Sequence, residues 1–288
     1  MTDFLLTNLL QNASKTLGAW NSSTATGGTT STVVDSSQAG SKWKNNQWKD
    51  GVLFIVRTTD GAAPQGEFNR ISAYDNATYT FTVDTAFTAA PGAGDVYAFI
   101  DSEFNKTALI EFANDGLRSL DMLDLTDITT ISIASEQKEY AGAVDWKRSK
   151  PWKIERATST DTNAYGWKEI SDWDYNSSAA GSTPLILFKQ QYNTSYPTVK
   201  IHYKDLHPAV TTYSSKIREE VHPEIATWAT VVKALEWYSA ANSGQDDYVA
   251  QRLNDARTEL DRAKVRHPIP RSEEGVQAKT IELVFSRP

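Results

Sequence analysis

Histidine is the most chemically versatile side chain in this sequence, and three of its four copies stand directly before proline: His207, His222 and His267. The fourth, His202, lies five residues before His207 at the end of a β-rich segment. A metal centre needs three or four clustered ligands, and no such run is visible. The His-Pro pairs read more simply as element boundaries, because proline restricts the residue before it. Paired carboxylates could perform acid–base work. Asp172 and Asp174 flank Trp173, and Asp121, Asp124 and Asp127 form a second group. Together with Trp146, Trp152 and Trp167, the first group has the composition of a surface on which sugar rings stack. The plainer reading makes these tryptophans core-facing and the aspartates turn formers. Lys42 to Lys49, carrying Trp43 and Trp48, is the segment most like a platform for single-stranded nucleic acid. A loop leading into a strand at 51–56 accounts for it equally simply. Trp146 to Lys150 is a smaller basic cluster of the same kind. Gly27 and Gly28 sit in a Ser/Thr-rich stretch and not between a strand and a helix, so they do not form a phosphate loop. There is no Gly-x-Ser-x-Gly elbow, and with no cysteine there is no thiol nucleophile. The sequence therefore designates no catalytic, cofactor-binding or metal-ligating residue, and the expectation is a protein that is not an enzyme and uses no cofactor.

The elements around these residues are more distinctive. The chain has 288 residues, 40% of them hydrophobic, which allows two domains or one with a large insertion. Its net charge of −7 argues against wrapping nucleic acid through a broadly basic surface. No apolar run approaches the length of a membrane span, and the N-terminus has no basic, apolar leader pattern. An apolar stripe of Leu5, Leu6, Leu9, Leu10, Ala13 and Leu17 predicts a helix near 2–17, ended by Gly18. Residues 20–31 read as a linker or surface loop. Five short β-rich runs between 32 and 100, separated by Lys49-Asp50-Gly51, Asp60-Gly61, Asp75-Asn76 and Pro91 to Gly94, predict a small β-barrel or sandwich. A second helix is expected near 103–122, so the β module stands as an insertion between two helices. A further β region follows over 128–206, with polar loops at 158–165 and 174–184. Two helices close the fold. The one near 223–242 is apolar nearly all round and so must be covered on more than one side, with neighbouring subunits as one source of cover. The one near 245–266 is two-faced, with Val249, Leu253, Ala256, Leu260 and Ala263 on its apolar side. Residues 271–288 read as an extended arm containing an alternating strand at 280–285. The expected class is α+β. Residues 1–19 and 101–127 form the first part of a helical core, and 20–100 form an inserted β module. Residues 128–206 are a β region, 207–270 a helix pair, and 271–288 an arm.

The runs from Trp48 to Val56, Gly66 to Asp75, Tyr79 to Asp84 and Ala90 to Tyr97 resemble a small β module common in structural proteins of tailed bacteriophages. There a strand leads to a second strand ending in Tyr-Asp, a third ending in Asp, and a Pro/Gly-Asp turn into the last. The passage from Tyr203 through His207-Pro208 to a Pro-Glu helix and a final charged helix is similar to phage head–tail adaptor, or neck, proteins. The resemblance implies a virion protein assembled in the bacterial cytoplasm, a homo-oligomeric ring of twelve subunits between portal and tail. Genomic DNA would pass through the channel without sequence-specific binding, and like charge would reduce sticking. Under this reading Ile225, Trp228, Val232, Leu235 and Trp237 on the apolar helix, and Ile281, Leu283 and Phe285 on the arm, are the expected subunit and partner contacts. Two alternatives stay open: a minor tail, baseplate or fibre-attachment protein, and a carbohydrate-binding module built on the tryptophans of the second β region.

Overall fold

A computed structural model of the chain describes residues 3–39, 42–147, 149–160, 166–177, 183–192, 194–241 and 247–269. It is a mixed α+β protein with four helices and three antiparallel sheets among the described residues. The chain divides into two compact units, one formed by residues 1–121 and 207–269 and the other by 122–206, to which the division also assigns 270–288. No helix among the described residues is long and apolar enough to cross a membrane.

The first unit opens with α1 (Leu6–Leu17). Leu6, Leu9, Leu10, Ala13 and Leu17 recur at helical spacing and are all buried. The helix stops at Gly18, whose φ of 74° lies in the left-handed region that glycine adopts freely. The segment after it holds β1 (Asn21–Thr24) and β2 (Gly27–Thr29), followed by β3 (Thr32–Val34), β4 (Val52–Arg57), β5 (Phe68–Asp75), β6 (Thr80–Val83) and β7 (Val96–Ile100). The linker expected over 20–31 is thus two strands. Polar β1 pairs with β7 over Asn21–Thr24, a partner more than seventy residues away.

These seven strands form one sheet in the order β1-β7-β4-β5-β6-β3-β2. Neighbouring strands lie about 4.8 Å apart, so in a flat sheet β7 and β6 would be separated by roughly 14 Å. Yet Phe81 of β6 packs on Phe99 of β7 with ring centroids 4.9 Å apart. The sheet must therefore curl until its two ends face each other. Register shifts in β4 at Ile55/Arg57 and in β5 at Ile71/Ala73 mark where it bends. The interior is aromatic and aliphatic: Leu53, Ile55, Ile71, Tyr74, Phe81, Tyr97 and Phe99 form one cluster with Val33. The expected barrel is corrected here: the sheet is not closed, because β1 and β2 share no ladder although only Ala25 and Thr26 separate them in the chain. A carboxylate links the two ends of the sheet instead. Asp35, fully buried just beyond β3, accepts from Ser23 of β1 at 2.6 Å and from Tyr97 of β7 at 2.8 Å.

After the sheet come α2 (Lys106–Arg118), capped by Asn105, whose side chain accepts from the Ala108 N–H, and later α3 (Pro223–Ala241) and α4 (Asp247–Arg266). Pro223 occupies the first helical position, where its missing N–H costs nothing. The α3 helix packs against α1, α2 and α4. Its apolar circumference is therefore covered largely by helices of its own chain. On α4, Val249, Ala256 and Ala263 recur every seven residues as a narrow buried stripe. The four helices begin and end within a few residues of their expected limits.

The connection leading into α3 is fixed by His207. This ring is 3% exposed. Its Nδ1 donates to the Pro208 carbonyl at 2.7 Å and its Nε2 accepts from the Arg218 N–H at 3.0 Å. Both nitrogens are committed to the neutral ring, so a second proton would face an N–H donor. Burial, reinforced by the Arg218 charge, pushes the His207 pKa below its ordinary value of 6.5. A histidine depressed in the folded state binds its proton more readily when unfolded, so its contribution is complete above about pH 6.5. That contribution is lost as the pH falls below that value. Denaturant melts of wild type and His207→Gln are expected to differ most at pH 7–8 and to converge toward pH 5. A gap that stays constant with pH would show the ring to be neutral for some other reason.

The second unit comprises β8 (Leu123–Asp127), β9 (Glu139–Ala141), β10 (Lys153–Ala157), β11 (Trp167–Glu169), β12 (Trp173–Asn176), β13 (Leu185–Phe188) and β14 (Val199–Asp205). One sheet runs β11-β10-β14-β8 and the other β12-β13-β9. Ile154, Val199 and Ile201 of the first share a core with Tyr140, Ile186 and Phe188 of the second, around fully buried Trp146. Three expectations are corrected. The start of the β region expected from 128, residues 128–133, forms only an isolated bridge, Ser132 to Thr198. Residues 123–127, assigned to the end of a helix and a turn, are strand β8, which pairs with β14. The boundary of the helical part therefore falls at residue 121 and not at 127. The loop expected from 174 contains most of β12.

Candidate subunit-contact surface

The five contact residues expected on α3 separate cleanly. Ile225 is inaccessible, and Val232 and Leu235 are each 6% exposed, so these three serve the chain's own helix packing. Trp228 is half-buried. Trp237 alone presents a large open surface, at 43% exposure. It stands nine residues from Trp228, which places the two on opposite sides of the helix at 100° per residue. The inner face of Trp237 packs on Phe112 of α2 with ring centroids 5.6 Å apart. The ring is thereby held at a fixed angle with its other face outward. Ile281, Leu283 and Phe285 lie outside the described residues.

Sequence reading did not single out Tyr248, which is 66% exposed in the first turn of α4. Arg252 lies over its ring at 5.8 Å. Trp237 and Tyr248 both occupy the half of the helix pair where α3 ends and α4 begins. Their presence there was legible only as two aromatics near a helix–helix turn, because exposure depends on which faces the other helices cover. Charged groups hold the pair together: Glu236 of α3 accepts from Lys233 and from Arg257 of α4, each at 2.9 Å. Such exposed pairs contribute about 0–1 kcal/mol each, so they set the register of the pair more than its stability.

The other groups raised by the sequence take ordinary roles. Trp43 and Trp48 pack edge-to-face, 5.4 Å apart, and both lie against Phe99 inside the curled sheet. Both are half-buried and pack over the core of the unclosed sheet, which accounts for them without a nucleic-acid partner. In the second unit Trp146 is buried, Trp152 packs on His202, and Lys200 and Lys150 lie over Trp167 and Trp173. Each of those cations occupies one face of its ring, so a sugar stacking on that face would have to displace it. Asp174 forms an exposed ion pair with Lys189 at 3.9 Å. Asp127 nucleates a turn, accepting from the backbone N–H groups of Thr129 and Thr130 at 2.7 and 3.0 Å. Burial works to raise its pKa, but these bonds and those from the threonine hydroxyls outweigh it and hold the carboxyl below 3.8. One open depression of the first unit is lined by Asp50, Arg70, Asn105, Lys106 and Thr107. Asp50 pairs with Arg70, and the Lys106 ammonium donates to Asn69 at 2.8 Å. Comparison with protein-family models, characterised proteins and solved structures returned no match.

Proposed function

We propose that this chain is a structural head–tail adaptor of a tailed-phage virion, acting without catalysis as one subunit of a ring between portal and tail. The sequence patterns at 48–97 and 203–266 carry the virion part of this reading. The observation that supports assembly is the outward face of Trp237, anchored from behind by Phe112. Rigid, half-exposed tryptophans are the side chains most often found as energetic anchors of interfaces. The burial of α3 by its own chain removes its overall apolarity as a reason for oligomerisation. The case for subunit contact therefore rests on this one residue and its surroundings, with Tyr248 as its neighbour on the helix pair.

The test is the mass of the purified chain in solution, measured alone and with portal protein by light scattering and native mass spectrometry. A closed ring is expected. Trp237→Ala is expected to weaken subunit association by more than tenfold, as loss of an interface anchor of about 2 kcal/mol would, with an unchanged circular dichroism spectrum. A wild-type chain that stays monomeric under both conditions would sink the proposal.

A further inference from the structure

We infer that His222, Glu224 and His267 form a binding site for a divalent transition-metal ion, with zinc the natural occupant, that clips the start of α3 to the end of α4. This inference is independent of the ring reading. Two of the three ligands come from the approach to α3 and its first turn, and the third comes from the residue that follows α4. His267 lies more than forty residues from the other two in the chain. Because the helices run antiparallel, the beginning of one meets the end of the other. One donor atom from each residue then lies within 4.8 Å of the other two.

The donor set is two imidazoles and a carboxylate, which suits zinc and its first-row neighbours and is a poor match for magnesium or calcium. Two imidazole nitrogens bound tetrahedrally at about 2.0–2.1 Å must stand roughly 3.4 Å apart. The His222 and His267 rings are stacked with centroids 3.5 Å apart and planes within 11° of parallel, which brings the two imidazoles side by side. His267 Nε2 is 3.1 Å from Glu224 Oε2. Imidazole lone pairs lie in the ring plane, so at least one of the stacked rings must turn before both nitrogens meet one ion, and with the donor atoms already within 4.8 Å that turn is a side-chain rotation. The ion would replace two hydrogen bonds, His267 to Glu224 and the 3.3 Å contact from the Glu224 N–H to His222 Nδ1.

The carboxylate is also oriented from behind. Arg266 donates to Glu224 Oε1 at 2.6 Å, which leaves Oε2 turned to the histidine. Arg266 is itself held by Glu259 at 3.3 Å. Outer partners of this kind fix ligating carboxylates in metal sites. Glu224 and Glu259 are balanced by Arg266 and by Arg262, which also pairs with Glu259, so the charged surroundings are neutral overall and the histidines and the Glu224 carboxylate alone attract the ion. A structural role for the same three residues, as a stacked and hydrogen-bonded clasp, requires no metal. The experiment has to separate these two.

Isothermal titration of the full, chelator-treated chain with zinc chloride is expected to show one ion per chain, and thermal melts a rise in Tm with zinc, cobalt or nickel but not with magnesium. His222→Gln and His267→Gln are each expected to weaken zinc binding by more than the roughly 10–100-fold lost with a second-sphere partner. His202→Gln, at a separate histidine paired with Glu155, is expected to leave it unchanged. Should a variant fail to fold, the imidazole resonances of wild type settle the matter, since zinc must shift His222 and His267 and leave His202 and His207 in place. Zinc that shifts neither ring, or binding that survives His267→Gln in a folded protein, would show that the cluster is only a clasp.

Discussion

Asp35→Ala is expected to destabilise the first unit by about 2–3 kcal/mol, since a buried donor left unpaired costs about 1–3 kcal/mol and the Tyr97 hydroxyl is such a donor. One carboxylate there accepts from the Ser23 hydroxyl, the Ser37 N–H and hydroxyl, the Gln38 amide and the buried Tyr97 hydroxyl. Alanine leaves the Tyr97 hydroxyl without this acceptor inside the sheet, and the two ends of the curl lose the group that joins them. The effect carries a pH signature. Burial alone would raise the Asp35 carboxyl, but the bonds from Ser23, Ser37, Tyr97 and Gln38 outweigh it and hold the group below 3.8. A carboxyl depressed by folding adds stability above its unfolded pKa and gives it up as the pH falls through the folded one. Urea melts of wild type and variant are therefore expected to differ fully at pH 6–7 and to draw together below about pH 4. A variant within 1 kcal/mol of wild type at neutral pH would mean that the sheet ends are held elsewhere.

The second large effect is expected at Gly116. Helix propensity alone favours alanine there by about 1 kcal/mol. Packing opposes it. A Cβ at Gly116 would stand 2.8 Å from the Ala229 carbonyl carbon and the Thr230 nitrogen and 2.9 Å from the Ala229 oxygen, all backbone atoms of α3. Backbone cannot step aside as a side-chain tip can, so α2 and α3 must separate along a buried seam. Overfilling a packed core costs about 1–3 kcal/mol and sometimes more. That exceeds the propensity gain. Gly116→Ala is expected to lower stability by about 2 kcal/mol and Gly116→Val by 4 or more, read as a falling midpoint in thermal melts. If Gly116→Ala instead raised the midpoint, the close approach of the two helices would be refuted.

The four helices were legible because each carries its own signals: the leucine stripe of α1 with Gly18 behind it, the apolar face of α2 from Leu109 to Leu120, Pro223 at the head of α3 and the heptad-like face of α4; the cap of α2, expected at Asp101 or Ser102, is Asn105. The alternation of Tyr79, Phe81 and Val83 with threonines likewise announced β6. What escaped was set by distant partners. Asn21 to Thr24 show no apolar alternation, because β1 is an exposed edge strand defined by its pairing with β7. Residues 123–127 look like acidic turn material until β14 is set beside them. The cover on α3 was invisible for the same reason, since α1 and α2 lie more than one hundred residues upstream. The meeting of His222 with His267 was within reach. Two helices of nearly equal length joined by a short link must run antiparallel, and that alone sets the start of one against the end of the other.

The division of the chain also fixes an order of events during its synthesis. The first unit needs residues 207–269, whereas the second is complete at Leu206 apart from the terminal residues assigned to it. A ribosome adding about 5–20 residues per second delivers the end of α3 roughly 6–25 s after the end of α2. Throughout that interval Leu9, Leu10 and Ala13 of α1 and Phe112 and Leu117 of α2 exist without the helix against which they pack. The unit that is started first is therefore finished last. A nascent chain that stalls before α3 carries an exposed apolar surface, which is the form most prone to aggregation.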